Sequence, residues 1–506
     1  FLPTCCLLLS VAGCSDSPVL SCPPAQAPPA DAVPLLAGPC DPLVPTVCGL
    51  PFPSNVYLVD DAGTATKKRV RVPRAAMPLT STIGRIDPAL ITDSDGFSPG
   101  QTIITHLPGA TITGLPTQDS IATSITTASP TILLNADSGE LVPHFAELDQ
   151  EIASESDGDR ALLIRPAVRL NDATRYIVAI RHVVDKGGAP LAATPVFQAL
   201  RDGTTSCDPS VALRQDLYAE LFARLKKPGI PKEDLQLAWD YSTASRDNNT
   251  RWLVRMRDEA LQKVGDSGPS YTLFPPAPAG PAPDPKSRYC NNLTVGTNPA
   301  QTSALSPSEI GSGNCSQDSA DGNPHIWRRL FGLMTVPLYT TTPNPGAGLS
   351  LGPDGMPLQN GTAQYEFEVN IPMAATRKPG SPLMNAHGLL GDKTEGDNSY
   401  LVAIADAGNF VTIAVDLVGF CQDDEATVQK ILTGDPVHFR DLVGRQQQGI
   451  LNELLAMRLM NALARDPLTQ FNGKPTIDVT NRYYRGDSQG GIFGATFMAL
   501  TTDVTR

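Results

Sequence analysis

The sequence predicts an α/β domain with a mostly parallel sheet in its last third, preceded by a β-rich, sandwich-like region that ends in a helical section. Three patterns lead to this fold class. Short β-prone runs alternate with turn residues in the first half, leucines follow at helical spacing, and strands then alternate with helices. The 506 residues exceed what one hydrophobic core supports, so we expect two or three domains.

The first half contains several short apolar runs that predict strands. These runs span residues 101–105, 131–134, 161–164 and 175–180. Turn pairs such as Asp95-Gly96 separate them, as they separate the strands of all-β domains. This pattern of short apolar runs separated by turn residues predicts a β-sandwich.

A helical section and a linker follow. Leu213, Leu217 and Leu221 recur at helical spacing, and residues 248–264 predict a second helix. Residues 275–281 read Pro-Pro-Ala-Pro-Ala-Gly-Pro, and a polar stretch continues to about residue 324. Such a composition is typical of a linker or a long surface loop.

The last third alternates predicted strands with predicted helices, which favours a parallel sheet covered by helices. The strands are residues 365–371, 383–386, 410–416 and 481–485, and the helices are 398–407, 446–464 and 490–500. The predicted organisation is therefore a signal remnant at 1–13, a tether at 14–39, a β-rich domain at 40–205, a helical section at 206–265, a linker at 266–325 and an α/β domain at 326–506.

The charge of the chain makes nucleic acid an unexpected partner, and its hydropathy argues against a transmembrane helix. The net charge is −13 and no basic block is present, so the chain is poorly suited to binding the phosphates of nucleic acid. No apolar run reaches the length of a membrane span, so we expect no transmembrane helix.

The N-terminus resembles the end of a lipoprotein signal. The apolar residues 7–13 precede Cys14, which we expect to carry a lipid, and a Pro/Ala/Ser-rich tether follows. An ordinary signal peptide with an incidental cysteine is the alternative. Lipidation implies an exported protein of the bacterial cell envelope, and the following Ser15 favours the outer membrane or cell surface.

The cysteines also fit an exported protein. Cys40 and Cys48 bracket a short proline-rich loop, and Cys290 and Cys315 bracket a Gly/Ser/Asn-rich one, so both pairs are disulfide candidates. Zinc is the competing reading, but no CxxC motif is present. An odd cysteine is left over, and the connectivity stays open.

The segment Gly486-Asp487-Ser488-Gln489-Gly490 carries the strongest chemical signal. It matches G-x-S-x-G between a predicted strand and a predicted helix, which is the context of a nucleophile elbow. Ser488 must lie on a tight turn there, and the flanking glycines let the strand and the helix approach. A helix N-terminus also directs backbone N–H groups toward developing negative charge.

A second segment, Asn385-Ala386-His387-Gly388-Leu389, follows an earlier predicted strand. In this order of elements, a loop of this kind supplies one backbone N–H of an oxyanion hole, and the residue after the nucleophile supplies the other. Alone, a His-Gly pair is more often an ordinary turn.

Together the two segments resemble the α/β-hydrolase family, especially bacterial lipases and esterases with a His-Gly-Leu oxyanion loop. The resemblance covers the chain from about Trp327 onward. It implies that Ser488 is the nucleophile and that the N–H groups of Leu389 and Gln489 form the oxyanion hole. His387 and Gly388 would shape the oxyanion loop, and His387 would not be the base. No cofactor or metal is implied.

The N-terminal region resembles that of large bacterial virulence-factor-type lipases more loosely. The residues that carry this likeness are Cys40-Asp41-Pro42-Leu43, Leu50-Pro51-Phe52-Pro53-Ser54-Asn55 and Asp95-Gly96-Phe97-Ser98.

The sequence departs from the family at the catalytic base. The family order is nucleophile, acid and then histidine, yet all six histidines precede Ser488. We expect Asp416, which follows a predicted strand, to anchor a loop. The triad acid and histidine are expected beyond residue 506, so the chain is expected to be a fragment with little esterase turnover.

The expected function is an exported, membrane-anchored serine hydrolase that cleaves carboxylic esters or lipids through an acyl-enzyme. A peptidase is possible, because the scissile bond does not follow from the fold. The alternative is a non-catalytic binding or adhesion lipoprotein with a degenerate hydrolase domain.

Overall fold

The computed structural model describes residues 22, 31, 33–80, 82–91, 93–150, 159–274, 289–290 and 324–504. They belong to two compact units. The first contains the residues up to Leu79 together with Arg85–Asn248, and the second contains Thr80–Gly84 together with the residues from Asn249 onward. Most of the predicted linker at 266–325 lies outside the described residues.

The described strands and helices have the following bounds. The strands are β1 Leu58–Asp60, β2 Lys68–Val70, β3 Leu79–Thr80, β4 Gly84–Arg85, β5 Ile103–Thr105, β6 Thr131–Asn135, β7 His144–Leu148, β8 Leu162–Pro166, β9 Arg175–Arg181, β10 Leu235–Ser242, β11 Ser270–Leu273, β12 Tyr289–Cys290, β13 Ile326–Pro337, β14 Thr362–Pro372, β15 Ser381–Ala386, β16 Phe410–Val415, β17 Gln470–Phe471, β18 Lys474–Pro475 and β19 Tyr483–Gly486. The helices are α1 Pro195–Asp202, α2 Pro209–Lys226, α3 Arg246–Val264, α4 Ser399–Gly408, α5 Glu425–Leu432, α6 Phe439–Leu463 and α7 Gln489–Leu500.

The first unit is β-rich, but its strands form separate small sheets. One antiparallel sheet has the order β10-β9-β6, another has the order β5-β8-β7, and β1 pairs with β2 in a two-stranded sheet. Side chains of α1 and α2, such as Phe197 and Leu221, lie in the same hydrophobic core as the strands. The predicted β-sandwich is therefore wrong: helices fill part of the core that a second extended sheet would fill.

The second unit is built on a mixed sheet with the strand order β11-β13-β14-β16-β15-β19, to which β12 adds at β13. The pairs β11–β13, β13–β14 and β14–β16 are antiparallel. The pairs β12–β13, β15–β16 and β15–β19 are parallel. The prediction of a mostly parallel α/β-hydrolase sheet is therefore wrong.

The error has a local cause. The longest pair, β13 with β14, has no helix between its strands, so no crossover can make these strands parallel. The β13 segment Ile326–Pro337 is nearly all buried and includes two buried arginines, so it shows no simple alternation. The alternation of strand and helix that predicted a parallel sheet exists only from β15 onward.

Within that last part, the predicted elements are confirmed. The strand predicted at 410–416 is β16, and the helices predicted at 446–464 and 490–500 correspond to α6 and α7. Since β15, β16 and β19 are mutually parallel, their carboxyl ends meet at one edge of the sheet. Side chains after Ala386, Val415 and Gly486 are thereby brought to the same edge.

Two disulfides cross-link the first unit. Cys40 is bonded to Cys48, as predicted, and Cys22 is bonded to Cys207, which the sequence did not indicate. These bonds indicate an oxidising, exported environment. Cys421 is buried and is a free thiol. Cys315 lies outside the described residues, so its pairing with Cys290 stays a prediction.

Within the described ranges, we find no helix that combines the length and the hydropathy needed to cross a membrane.

Candidate functional site

Ser488 occupies a sharp turn between a strand and a helix. Strand β19 ends at Gly486, helix α7 begins at Gln489, and Ser488 is the N-cap residue of that helix. Its backbone has φ 47° and ψ −114°, a conformation that non-glycine residues rarely adopt, and its side chain is exposed. Strained backbone of this kind concentrates at functional sites, and an exposed serine on such a turn is typical of a nucleophile elbow.

The glycines on either side of Ser488 are required by close backbone contacts. A Cβ atom on Gly486 would collide with the carbonyl group of Gly490. A Cβ atom on Gly490 would lie 2.5 Å from the carbonyl oxygen of Ala386, on the neighbouring strand β15. The G-x-S-x-G spacing therefore has a steric reason: the helix starts directly against the two strands beneath it.

The predicted oxyanion loop lies beside this turn. Strand β15 ends at Ala386, which pairs with Gly486 of β19, and the loop begins at the next residue. The N–H of Gly490 donates to the carbonyl oxygen of His387 at 3.1 Å. A Cβ atom on Gly388 would lie 3.8 Å from the Cβ of Ser488. The fold thus brings together the two motifs, which are about a hundred residues apart in sequence.

His387 is part of the framework of this loop. Its side chain is buried, its Nε2 accepts a hydrogen bond from the N–H of Leu417 at 2.7 Å, and its Nδ1 lies 2.7 Å from the carbonyl oxygen of Gly388. Because Nε2 is an acceptor, Nδ1 carries the hydrogen and donates it to Gly388. Both ring nitrogens are engaged, which leaves neither for proton transfer with Ser488.

The backbone N–H groups of Leu389 and Gln489 have no hydrogen-bond partner among the described residues. On either side of Leu389, Gly388 donates to Glu395 at 2.9 Å and Leu390 donates to Phe420 at 2.8 Å. Gln489 is the first residue of α7, where a helix offers no internal acceptor. These are the two groups that the sequence assigned to an oxyanion hole.

Glu395 places a carboxylate near Ser488, and the sequence analysis did not predict a role for this residue. Its Oε2 accepts the Gly388 N–H and would lie 3.8 Å from a Cβ atom on Gly388, at the same distance from that atom as Ser488 Cβ. A Cβ atom on Gly391 would collide with Oε1 of Glu395. The signal that could have found it is the second glycine of His387-Gly388-Leu389-Leu390-Gly391, which makes room for a side chain.

A buried lysine ties the loop to the sheet. Lys393 Nζ lies 3.0 Å from Glu366 Oε2 and 3.3 Å from Asp416 Oδ2, and its backbone N–H donates to Asp416 Oδ1 at 2.9 Å. Burial alone would raise the pKa of Asp416, but the buried Lys393 ammonium brings that pKa below its usual value. Both carboxylates in turn raise the pKa of Lys393. Asp416 therefore anchors the loop, as predicted.

A polar group lies on the exposed side of the turn. Arg485 donates to Asn385 Oδ1 at 2.7 Å and to the carboxylate of Asp487, and its guanidinium lies 6.0 Å from the ring of Tyr400. The Tyr400 hydroxyl is 3.3 Å from Asp487 Oδ2. These contacts hold Asp487, the second residue of the G-x-S-x-G motif, in place and connect β19 to helix α4.

On the buried side, Tyr484 supports the first turn of α7. Its hydroxyl donates to the carbonyl oxygen of Gly490 at 2.8 Å and lies 3.5 Å from Oε1 of Glu453 on α6. Glu453 is fully buried, and burial raises its pKa to about 8. Glu453 is therefore mainly protonated at neutral pH. The sequence analysis did not identify this residue.

The two other described histidines of the second unit, His325 and His438, lie beside acidic residues. His325 pairs with Asp406 at 3.0 Å, next to the pairing of Ile326 with Pro372, at the sheet edge opposite the carboxyl ends of β15 and β19. His438 is half-buried and lies between Asp435 and Asp441. The Ser488 hydroxyl has no hydrogen-bond partner among the described residues.

Other predicted positions are outside this site. Cys14 and the signal remnant lie outside the described residues. In the part of the chain that the structure describes, no group of three or more His, Cys, Asp or Glu side chains could hold a metal ion. Comparisons with protein-family models and with curated proteins find no match to this chain.

Proposed function

We propose that this protein is a serine hydrolase of carboxylic esters, with Ser488 as the nucleophile. The observation that carries the proposal is the exposed, strained Ser488 at the start of α7, beside the loop that contains Leu389, with the N–H groups of Leu389 and Gln489 unpaired among the described residues. An exposed hydroxyl and backbone donors of this kind supply the nucleophile and the oxyanion hole of an acyl transfer.

In the proposed reaction, Ser488 Oγ attacks the ester carbonyl carbon and its proton leaves to a base. The N–H groups of Leu389 and Gln489 donate to the oxyanion. The C–O bond of the ester breaks, and the alcohol departs with a proton, which leaves an acyl-enzyme. Water then adds to the acyl carbon, and the carboxylic acid and the Ser488 hydroxyl are released. We assign no general base and no cofactor.

The likeness to bacterial lipases and esterases enters this proposal through the two loops alone, because the sheet does not follow the prediction. The contacts of His387 support its proposed role as a residue that shapes the loop. Exposed apolar side chains near the turn, Leu389 and Ile492, favour an ester with an apolar acyl or alcohol part.

We further propose that the protein is a lipoprotein of the bacterial cell envelope, with Cys14 as the lipid-bearing residue. This finer location is supported by the apolar run before Cys14 and by the tether after it. Replacement of Cys14 by alanine should move the protein from the membrane fraction to the soluble fraction, whereas Cys6→Ala should not. Membrane association that survives Cys14→Ala contradicts the anchor.

The activity is tested with p-nitrophenyl butyrate and with a fluorophosphonate probe, each with and without imidazole as an added base. We expect the probe to attach at Ser488, and the imidazole-stimulated hydrolysis to be lost in Ser488→Ala. Ser138→Ala is the matched control, since Ser138 is exposed in a turn of the first unit. Peptide mapping by mass spectrometry then checks for an acylated Ser488 peptide.

If wild type and Ser488→Ala react equally, the nucleophile proposal fails and the non-catalytic binding lipoprotein is the better description. A p-nitroanilide of the same acyl group separates an esterase from a peptidase. Preferential cleavage of the anilide contradicts the ester substrate while leaving Ser488 as the nucleophile.

A further inference from the structure

The first unit contains an apolar cavity of about 310 Å³, and none of the residues assigned above to the Ser488 site lines it. Four leucines contribute most of its aliphatic wall: Leu43, Leu107, Leu191 and Leu237. Among the described residues that line it, His106 alone has a titratable side chain. Pockets of this size and composition are typical of sites for small ligands.

One wall of the cavity is the loop closed by the Cys40–Cys48 disulfide, which supplies Leu43, Pro45 and Thr46. Several bonds hold this loop. At its base, buried Asp41 Oδ1 accepts a hydrogen bond from buried Arg214 at 3.0 Å. This short, cross-linked loop is therefore held in place before any ligand arrives, which lowers the ordering cost of binding.

Hydrogen bonds join the same loop to the opposite wall of the cavity. The carbonyl oxygen of Leu43 accepts from Thr194 Oγ1 at 3.2 Å, and Thr46 Oγ1 lies 2.8 Å from His106 Nδ1. Each of the two threonines that border the cavity therefore already has a hydrogen-bond partner in the protein.

The amide of Gln236, the remaining polar side chain of the lining, is also engaged by the protein. Its Oε1 accepts from the N–H of Val183 at 2.8 Å, and its Nε2 donates to the carbonyl oxygens of Val183 and Leu191 at 2.8 and 2.7 Å. His106 Nε2 is the one lining nitrogen that is buried without a hydrogen-bond partner among the described residues, and it can pair with a single neutral polar end of a ligand. A charged group in this cavity would lose most of its hydration for that one contact, which is unfavourable.

We propose that this cavity is a binding site for an uncharged apolar molecule. An engineered apolar cavity of about 150 Å³ holds benzene, so the present volume matches a ligand of roughly 12 non-hydrogen atoms. Removal of that apolar surface from water provides the free energy of binding. The site belongs to the first unit and does not depend on the function proposed for Ser488.

The test is calorimetric titration of the whole protein with 1-decanol, an uncharged chain of matching size, and with decylammonium, its charged counterpart. We expect 1-decanol to bind and decylammonium to bind about tenfold or more weakly. Ala192 lines the cavity and is itself exposed, so Ala192→Trp should fill the opening without disturbing the core and weaken 1-decanol binding by a similar factor.

The matched control is Ala62→Trp, which places the same side chain on an exposed turn outside the lining. It should bind 1-decanol as the wild type does, and both variants should have the wild-type circular dichroism spectrum. The proposal is overturned if the wild type does not bind 1-decanol up to its solubility limit, or if Ala192→Trp binds it as tightly as Ala62→Trp. Equal affinity for decylammonium would overturn the uncharged ligand class.

Discussion

The N–H of Gly490 donates a hydrogen bond to the carbonyl oxygen of His387 at 3.1 Å, which joins the first turn of α7 to the loop after β15. The N–H of Asp487 likewise donates to the carbonyl oxygen of Ala386 at 3.2 Å. Through these two bonds, the turn that carries Ser488 and the loop that carries Leu389 form one rigid piece of backbone. The geometry of the candidate site therefore depends on glycine positions and loop anchors as much as on Ser488 itself.

Gly486→Ala should disrupt this piece of backbone. Its new Cβ would collide with the Gly490 carbonyl group, so the helix start must move away from β19. We expect a loss of about 1–3 kcal/mol in the free energy of unfolding and a fall of roughly 100-fold in Ser488-dependent hydrolysis. Gly388→Ala is the control for stability, because its Cβ meets only ordinary contacts at 3.8 Å. Equal melting temperatures for the two variants would contradict the steric argument.

The strain at Ser488 can be measured without any substrate. Its positive φ disfavours every side chain that has a Cβ atom, so Ser488→Gly should be more stable than Ser488→Ala by about 1 kcal/mol. At Ser138, where φ is not positive, the glycine variant should be the less stable one. Urea unfolding of the four variants gives both differences. A more stable alanine at position 488 would mean that the turn is unstrained.

Glu453 should make the stability of the protein depend on pH. Its pKa is raised by burial from 4.5 to about 8, so between these values the folded state holds a proton that the unfolded state has lost. The free energy of unfolding should therefore fall as pH rises through this window, by about 1.4 kcal/mol per pH unit relative to Glu453→Gln. Glu425→Gln, at an exposed position of α5, should keep the wild-type dependence. Parallel wild-type and Glu453→Gln curves between pH 5 and 8, a range of about 3 units, would rule out a protonated Glu453.

Lys393→Met should be strongly destabilising. The substitution removes the buried ammonium group that lies between Glu366 and Asp416, and it leaves two buried carboxylates without their cation. Breaking a buried pair in this way costs about 3–5 kcal/mol. Lys378→Met, at an exposed position, should change the free energy of unfolding by less than about 0.5 kcal/mol. Chemical unfolding of both variants provides the comparison. A similar change in the free energy of unfolding at the two positions would show that the ion pairs of Lys393 do not stabilise the folded state.

Peptide mapping without reduction should recover two cross-links, Cys22 with Cys207 and Cys40 with Cys48. The first closes a loop of 185 residues, for which the chain-entropy model gives about 5 kcal/mol of stabilisation. Buried Cys421 should react with iodoacetamide only after unfolding, because burial also raises its thiol pKa. A peptide that links Cys290 to Cys315 would bear out the remaining prediction. Free thiols at Cys40 and Cys48 would contradict an oxidising compartment.

Local patterns predicted much of the candidate site. The strand, turn and helix around Ser488 follow from a short apolar run, a G-x-S-x-G motif and a small-residue helix, all within about twenty residues. The role of Asp416 as a loop anchor was also predictable, because an acidic residue directly after a buried strand meets the loops of neighbouring strands. In each case the sequence neighbours themselves constrain the geometry.

Other parts of the site could not be predicted from local sequence patterns. Glu395 and Glu453 look like ordinary helix or loop glutamates, and only packing brings one to the Gly388 N–H and buries the other behind Tyr484. The partner of Cys22 is distant in sequence, and connectivity among several cysteines has no local signature. A pKa near 8 at Glu453 likewise arises from surroundings that several elements supply.

The sequence alone therefore determined where β14, β15, β16, β19, α4, α6 and α7 lie, that Ser488 follows a strand and precedes a helix, and that Cys40 and Cys48 are near enough to bond. The tertiary structure decided how the strands pair: β13 and β14 make the sheet mixed, and the first unit forms small sheets around helices instead of a sandwich. The physical reason is the range of the interactions. Turn chemistry and residue periodicity act over a few neighbours, whereas strand direction and burial are set by contacts between segments far apart in the chain.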